Sequence, residues 1–443
     1  MKAIIYILIM LCFEACALGT GAGRDDQYSS DRSDGIRAIE NAVPLRVKEL
    51  LSSNSLVPDV YMFKAHDAKV NALSIALDGS GAYSGGADGK VIFSSIVTTS
   101  LCEARKECLS GAAWAIDKTE LLRSQKAISA LSLSSDGRSL AVAEHSLVVI
   151  FDLPSRRITS HLSQVHGRIT TLSWDPRGEL VAIGTSDGGT YVWNVKTGKA
   201  AGEDSKEAIE TYPGAKSAIA NIVFHPSGRA FFSAHSGGMI YFWRLLRTER
   251  EMRLRDVMAE VDATRVGYEK KAFKLQQLIQ LQMPLVFASM PPTKSFSLED
   301  IWLDDRGAYL FAATSEGGVY KIKVRGLKLI ERIAASNAMV SSISGKNLKA
   351  KTDKPISSGE GKLLLISTGR EPKLKFWCVT ESTSQNVAET ELFSALFSKL
   401  SMANQSSILW AGQKTGNLSI LDIKSLSKSP QWGLETNLCR DAI

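Results

Sequence analysis

Between residues 60 and 244 the sequence alternates short apolar runs with polar turn signals. The stretch GTSDGGTYVWN, residues 184–194, shows the unit clearly, because the turn signal Asp187-Gly188-Gly189 precedes an alternating apolar run that ends near Trp193. Apolar side chains at every second position predict a β-strand, and Asp-Gly predicts a tight turn between two strands. The pattern therefore predicts strand–turn–strand units and little helix in this region.

The unit recurs along the chain. Each copy has an apolar strand, a D-x-x-G or P-x-G turn, a second strand, and a small polar turn that leads into a third strand. The copies cover residues 66–95, 128–153, 166–199, 218–244 and 300–323, and two weaker ones end at Trp377 and Ile423. Short strands that repeat roughly every 40 to 50 residues are typical of a β-propeller.

A propeller also explains why the repeat is needed. One small antiparallel sheet cannot bury both of its apolar faces, whereas blades stacked around a closed ring can, and closure leaves only short edges. We therefore expect an all-β propeller of seven blades over residues 46–430. The segment Val60-Tyr61-Met62-Phe63 is placed to form the outer strand of the last blade, and residues 431–443 form a C-terminal tail.

Three motifs in the best copy resemble the WD40 repeat. They are His166-Gly167, the turn Trp174-Asp175-Pro176-Arg177-Gly178, and Trp193-Asn194. The resemblance extends over about residues 60 to 425 and implies the propeller fold. It says little about function, because propellers of this type serve many unrelated roles.

The resemblance also implies a buried hydrogen-bond network within a blade. In the third blade its members would be His166, Thr185, Asp187 and Trp193, and this copy alone has the full set. The other copies depart from the pattern, so we expect those blades to depend mainly on apolar packing.

After the fourth copy the hydrophobic period changes, over residues 244–285. Apolar residues there fall mostly at spacings of three, four or seven, and the polar positions mix acidic and basic residues. This pattern predicts an amphipathic helical insertion between blades 4 and 5. The helix either packs on the ring or docks a protein partner, and the mixed charge argues against a membrane surface. The candidate partner-binding residues are Leu254, Met258, Val261, Tyr268, Leu275 and Ile279.

The N-terminus carries an uncharged apolar run, Ala3 to Phe13. The run is too short to span a bilayer as a helix but fits the core of a secretory signal. Residues 1–19 end in two small-x-small cleavage patterns, one at Ala17 and one at Gly19. Alternatively, Phe13-Glu14-Ala15-Cys16 resembles a relaxed bacterial lipobox, so that a signal of residues 1–15 would precede a lipid-modified Cys16, and residues 20–45 would form a flexible tether. The sequence predicts an exported chain, membrane-anchored or periplasmic, and an intracellular one if this run is not a signal.

Six cysteines and a net charge of +7 add few constraints. Cys102 and Cys108 flank a short polar loop and could close a disulfide in an oxidising compartment. Unpaired thiols are the alternative. No basic tract with interleaved aromatic residues is present, so nucleic acid is not an expected partner.

Motifs for catalysis are absent from the sequence. It has no HExxH, no CxxC pair, no GxSxG elbow and no glycine-rich loop between a strand and a helix. Asp78, Asp136, Asp175 and Asp304 recur near one repeat position, which indicates turn formation rather than acid–base chemistry. We therefore expect no catalytic residue, metal or cofactor, and a scaffold that binds a protein partner. The alternative functions are an envelope hydrolase or ligand-binding propeller that uses the central channel, and an intracellular scaffold.

Overall fold

The computed structural model describes residues 60–98, 114–163, 165–195, 209–212, 217–245, 273–280, 296–348, 363–370, 373–390, 396–403 and 406–423. All of them belong to one compact unit, residues 55–443. Every regular element in these ranges is a strand. In chain order the strands are β1 (Val60–Lys64), β2 (Val70–Ile75), β3 (Gly81–Gly86), β4 (Lys90–Thr98), β5 (Trp114–Arg123), β6 (Ile128–Leu133), β7 (Ser139–Glu144), β8 (Leu147–Asp152), β9 (Arg157–Leu162), β10 (Ile169–Trp174), β11 (Leu180–Thr185), β12 (Thr190–Asn194), β13 (Ile209–Tyr212), β14 (Ile219–Phe224), β15 (Ala230–His235), β16 (Met239–Leu245), β17 (Phe273–Gln280), β18 (Leu298–Leu303), β19 (Tyr309–Thr314), β20 (Gly318–Lys323), β21 (Lys328–Ala334), β22 (Val340–Asn347), β23 (Leu363–Gly369), β24 (Leu374–Val379), β25 (Ser384–Thr390), β26 (Phe397–Met402), β27 (Ile408–Gln413) and β28 (Asn417–Asp422).

These strands form seven antiparallel sheets of four strands each, which are the blades. Blade 1 is β2–β5, blade 2 is β6–β9, blade 3 is β10–β13, blade 4 is β14–β17, blade 5 is β18–β21 and blade 6 is β22–β25. Blade 7 combines β26, β27 and β28 with β1 from the start of the propeller. The seven-bladed all-β propeller predicted from the repeat is confirmed.

The ring is closed by contacts between the two ends of the propeller. The first strand of each blade lies innermost, and these strands contact one another in the order β2, β6, β10, β14, β18, β22, β26 and back to β2. Strand β1 pairs antiparallel with β28, with Phe63 opposite Leu418, so the predicted closure by residues 60–63 is confirmed. The hydroxyl of Ser398 adds a second link by donating to the carbonyl of Val70 at 2.6 Å.

Apolar clusters between the blades form the core. Between blades 2 and 3, for example, Ile150 and Leu162 pack in one cluster with Ile183 and Trp193. Similar clusters join blades 1 and 2, 3 and 4, 4 and 5, 5 and 6, and 6 and 7. Each fully buried large side chain contributes about 1.5–3 kcal/mol, so the stacking of blades is the main source of stability.

The helical prediction for residues 244–285 is wrong wherever the structure describes that segment. Residues up to Leu245 continue strand β16, and residues 273–280 form β17, the outer strand of blade 4. Leu275 lies opposite Trp243, and Ile279 lies opposite Ile240. The physical reason is that β16 would otherwise expose a row of unpaired backbone groups, which the fourth strand satisfies. Four of the proposed partner-binding residues, Leu254, Met258, Val261 and Tyr268, lie outside the described residues.

The recurring aspartates serve the turns after the inner strands, as predicted. Asp175 is fully buried, and its Oδ1 accepts hydrogen bonds from the backbone N–H groups of Glu179 (2.7 Å) and Leu180 (2.8 Å). Asp304 accepts from the N–H of Tyr309 in the same way, at 2.7 Å. These carboxylates therefore satisfy backbone donors rather than face a channel.

Candidate functional site

The two faces of the ring carry different turns of each blade. We call the face that carries the β3–β4 turn and its equivalents the upper face, and the opposite one the lower face. Each inner strand begins at the upper face, and in six blades the residue before it accepts a hydrogen bond from the upper turn of the same blade. Lys69 accepts from Ala87, and Arg168 accepts from Ser186. The upper mouth of the channel is therefore lined by the residues at the start of the inner strands.

A chain of polar side chains follows the channel wall across four blades. Thr171 Oγ1 donates to Asn221 Oδ1 at 2.9 Å, and Asn221 Nδ2 donates to Asp300 Oδ1 at 2.6 Å. Ser342 Oγ donates to Asp300 Oδ2 at 2.7 Å. Each of these residues is the third of its inner strand, so the propeller repeat itself brings them together although the sequence separates them widely. A search of the sequence for motifs with fixed spacing could not have identified this row of polar side chains.

The same position in blade 7 is occupied by a cation. The Nζ of Lys399 lies 4.0 Å from Asp300 Oδ2, and its side chain is 32% exposed, whereas that of Asp300 is 5% exposed. Asp300 also accepts hydrogen bonds from the backbone N–H groups of Ile301 (3.0 Å) and Ile343 (3.2 Å). Because both oxygens of Asp300 already accept short hydrogen bonds, the more distant ammonium group of Lys399 keeps donors for a ligand.

Lys399 is one of four cationic residues near the upper mouth. Lys69 precedes β2, Arg168 precedes β10, and Lys414 follows β27, where its N–H donates to the carbonyl of Leu396. Lys69, Arg168 and Lys414 are exposed, and none of them forms an ion pair with another described residue. Partial desolvation lowers the pKa of Lys69, and the positive charges of Lys414, Lys399 and Arg168 lower it further. The mouth therefore carries a concentrated positive charge.

Blade 1 contains a buried polar network centred on a histidine. The buried His66 forms hydrogen bonds through Nδ1 with Asp88 (3.0 Å) and through Nε2 with Ser84 (2.8 Å). Burial lowers the pKa of His66, and this effect exceeds the opposing effect of the Asp88 carboxylate. The sequence predicts the full network in blade 3 because Trp193 stands there, whereas Ser94 stands at that position in blade 1.

In blade 3 the structure joins two of the four residues assigned to the network. Thr185 Oγ1 donates to Asp187 Oδ1. The side chain of His166 is exposed, and its backbone forms a hydrogen bond with Tyr191. The indole N–H of Trp193 is buried and has no acceptor among the described residues.

Blades 4 and 6 show what Trp193 lacks. In blade 4 the indole N–H of Trp243 donates to the hydroxyl of Ser233 at 2.9 Å, and in blade 6 that of Trp377 donates to the hydroxyl of Ser367 at 3.1 Å. In blade 3 the position of this serine is held by Ile183, so no acceptor is available. A serine ten residues before the tryptophan is the sequence signal for this pair.

Lys321 is a second buried cation, but its position is explained by the fold. Its Nζ donates to the carbonyls of Thr380 (2.5 Å) and Glu381 (3.0 Å), which joins blades 5 and 6. Burial lowers the pKa of this lysine. A donor held by two carbonyls between blades is a structural link rather than a binding group.

Of the six cysteines, only Cys378 lies in the part of the chain that the structure describes. Cys378 is buried and disulfide-bonded. The other five cysteines, including Cys16 and the candidate pair Cys102 and Cys108, lie outside the described residues. Cys378 belongs to the cluster between blades 6 and 7 that also contains Ile423, the last described residue.

Metal-binding clusters and membrane-spanning helices are both absent from the part of the chain that the structure describes. Its His, Cys, Asp and Glu residues form no group of three or more arranged to hold a metal ion. It also contains no helix whose length and apolar character would let it cross a membrane.

Comparison with known proteins identifies the repeat. The family model "WD domain, G-beta repeat" matches residues 58–93, 155–194 and 206–244. Three segments of the chain match the WD40 repeat. All three matches begin with the outer strand of one blade and continue into the third strand of the next, as the match at residues 155–194 does with β9 and β10–β12. Each such WD40 repeat therefore links two neighbouring blades covalently.

Solved structures share the fold at low sequence identity. A chain of the crystal structure of the Mitotic Checkpoint Complex is similar to this chain with a TM-score of 0.56 and 13% identity, covering 82% of this chain and 93% of that one. At this identity the likeness shows the propeller fold alone. No curated protein matches the sequence.

Proposed function

We propose that this WD40 propeller is a non-enzymatic scaffold whose upper face docks a protein partner. The observation that carries the proposal is the cluster of Lys69, Arg168, Lys399 and Lys414 around the channel mouth. Lys69, Arg168 and Lys414 are exposed and have no ion-pair partner among the described residues, and such charges are costly to gather unless a ligand of opposite charge neutralises them. A closed ring also presents its turns with little ordering cost on binding.

The protein of similar fold supports this role through the assembly in which it was solved. It is a chain of a structure named as a complex, so a propeller of this shape serves in at least one protein assembly. WD40 repeats in this chain support the same class of function, since propellers with such repeats commonly bind proteins.

Site-specific photo-cross-linking tests which face docks the partner. A photoreactive amino acid is placed at Ser186 in an upper turn, and in a matched variant at Ser155 in a lower turn, both exposed. We expect a discrete cross-linked protein from the Ser186 variant and none from the Ser155 variant. Equal products from both variants, or a product from Ser155 alone, would contradict the proposal.

We further propose that the chain is exported. The apolar run Ala3 to Phe13 is the sequence basis, and the disulfide at Cys378 supports it, because disulfides persist in oxidising compartments. In this proposal the protein is retained at the membrane through a lipid on Cys16. The mass of the mature protein tests the whole proposal: diacylglycerol on an N-terminal Cys16 is expected, a start after Ala17 or Gly19 would mean export without an anchor, and an intact Met1 would overturn export.

The channel wall is the place where the alternative, an envelope hydrolase or ligand-binding propeller, would act. Asp300 is its best candidate for a general base, since it is buried in the wall beside Lys399. Its two oxygens accept from Asn221, Ser342 and two backbone N–H groups. A carboxylate engaged by four donors is poorly placed to take a proton from a substrate, which favours the scaffold.

A further inference from the structure

The distribution of charge around the channel mouth indicates the chemistry of the partner. Lys399 and Lys414 belong to blade 7, Lys69 leads into blade 1, and Arg168 leads into blade 3. Blades 4 and 5 present neutral residues at the positions equivalent to Lys69 and Arg168, namely Ala218 and Ser297. The mouth is therefore positive on one side only.

The four cations come from several blades. Three of them start or follow strands of different blades, so they lie along an arc of the rim from blade 7 through blade 1 to blade 3. Phosphate binding sites instead place several donors around one group of oxygens. An arc of separated cations matches a chain that carries carboxylates at intervals.

The local contacts leave the cations available. Asp67 is paired with Lys90 at 2.7 Å, and Glu299 accepts from Ser297, so these acidic groups near the mouth already have partners. Among the described acidic residues, only Asp300 in the channel wall has a carboxylate oxygen within 4.0 Å of the charged group of an arc residue, namely Lys399.

We propose that the upper mouth binds an acidic peptide segment of the protein partner, with its carboxylates on Lys69, Arg168, Lys399 and Lys414. This inference rests on the proposed docking at the upper face and adds the identity of the recognised chemistry. Ion pairs at a rim contribute modest affinity and a faster association rate, so binding weakens as salt rises.

The probes are three fluorescent synthetic peptides of equal length, with alternating Glu and Ser, Gln and Ser, or Lys and Ser. Fluorescence anisotropy measures their binding to the mature protein. The Glu–Ser peptide should bind and the other two should not, and binding should be lost at about 1 M salt, where the Debye length is about 3 Å. Binding of the Gln–Ser peptide with equal affinity would overturn the inference.

Charge-removing variants locate the site. Lys69→Gln combined with Lys414→Gln should weaken binding of the Glu–Ser peptide by about tenfold, since each exposed pair contributes up to about 1 kcal/mol. The matched control, Lys323→Gln with Lys328→Gln, removes the same charge from exposed positions at the lower face and should bind normally. All variants should melt like the wild type, because the altered side chains are exposed.

Two results would overturn the inference. One is an equal loss of peptide binding in the upper-face and lower-face variants. The other is complete displacement of the Glu–Ser peptide by inorganic pyrophosphate, when the pyrophosphate concentration equals the peptide concentration that half-saturates the site. Either result would leave upper-face docking intact if the Ser186 cross-link still forms. Absence of that cross-link, by contrast, would count against the docking proposal itself.

Discussion

Asn221 Nδ2 donates to Asp300 Oδ1 at 2.6 Å, and this hydrogen bond joins the inner strands of blades 4 and 5 in the channel wall. Blade 4 ends with β17 at Gln280 and blade 5 begins with β18 at Leu298, so residues 281–297 connect the two blades. A charge-assisted hydrogen bond is stronger than a neutral one, especially where the carboxylate is buried. The pair therefore holds the ring together where the chain path between neighbouring blades is longest.

Removal of the Asp300 carboxylate should destabilise the ring. Asp300→Ala leaves Asn221, Ser342 and the N–H of Ile343 without their acceptor, and we expect a loss of about 1.5–3 kcal/mol in the free energy of unfolding. A double-mutant cycle with Asn221→Ala isolates the pair by denaturant unfolding. The double variant should lose less than the two single variants combined, and additive losses would contradict the coupling.

Closure of the ring should be sensitive to Gly416. This residue has φ +88°, and a Cβ there would lie 2.2 Å from the carbonyl of His66, next to the β1–β28 pairing. Gly416→Ala should therefore cost the roughly 1–2 kcal/mol of a left-handed residue plus the cost of displacing that carbonyl. Thermal unfolding monitored by circular dichroism measures the loss.

The control for closure is Gly326→Ala. Gly326 has φ +83°, almost the same backbone conformation, but nothing lies within 4 Å of the position that a Cβ would occupy. The Gly326→Ala variant should lose only the roughly 1–2 kcal/mol of unfolding free energy that a left-handed alanine costs. Equal destabilisation by both substitutions would mean that the contact with His66 contributes nothing to closure.

Stability should fall as the pH falls below about 6.5. Burial lowers the pKa of His66 and of His235, so the unfolded chain takes up a proton at a higher pH than the folded ring does. The contribution of the neutral imidazoles is fully present above the unfolded pKa and is lost as the pH falls from there through the folded pKa. His66→Gln should flatten this dependence in urea unfolding at a series of pH values.

The exposed His145 offers a matched control for the pH experiment. His145 has φ +50°, a conformation that asparagine tolerates, so His145→Asn should fold normally. It should keep the pH dependence of the wild type. If His66→Gln retains the full dependence, the buried imidazole is not its source.

Cys378 should be found in a cross-linked peptide. A proteolytic digest of the mature protein, alkylated without reduction and analysed by mass spectrometry, would identify its partner among the other cysteines. Reduction should lower the free energy of unfolding by about 2–4 kcal/mol, as is usual for a structural disulfide. Recovery of the Cys378 peptide with an alkylated thiol would contradict the disulfide and remove its support for export.

The sequence was sufficient to predict the fold because the repeat is local. Alternating apolar residues and Asp-Gly turns specify each blade separately, and the number of copies specifies the ring. Closure by residues 60–63 followed from the same logic, since the last blade lacked a fourth strand. The outer strand β17 was missed because its apolar residues, with a bulge opposite Phe242 and Trp243, also fit helical spacing.

The candidate site was harder to predict because it depends on residues from several blades. Thr171, Asn221, Asp300 and Lys399 share one position of the inner strand, but they belong to different residue types and no motif connects them. The network in blade 3 was assigned from residue identity alone. Ile183 shows why that is insufficient, since one apolar residue at the serine position leaves Trp193 without an acceptor among the described residues.

Hydrogen–deuterium exchange of the mature protein with and without its cross-linking partner tests docking at the upper face most directly. Docking there predicts slower exchange in the upper turns of blades 1 and 7, at residues 87–90 and 414–417, and unchanged exchange in the lower turn at residues 153–156 of blade 2. Protection of the lower turn with no change in the upper turns would contradict it.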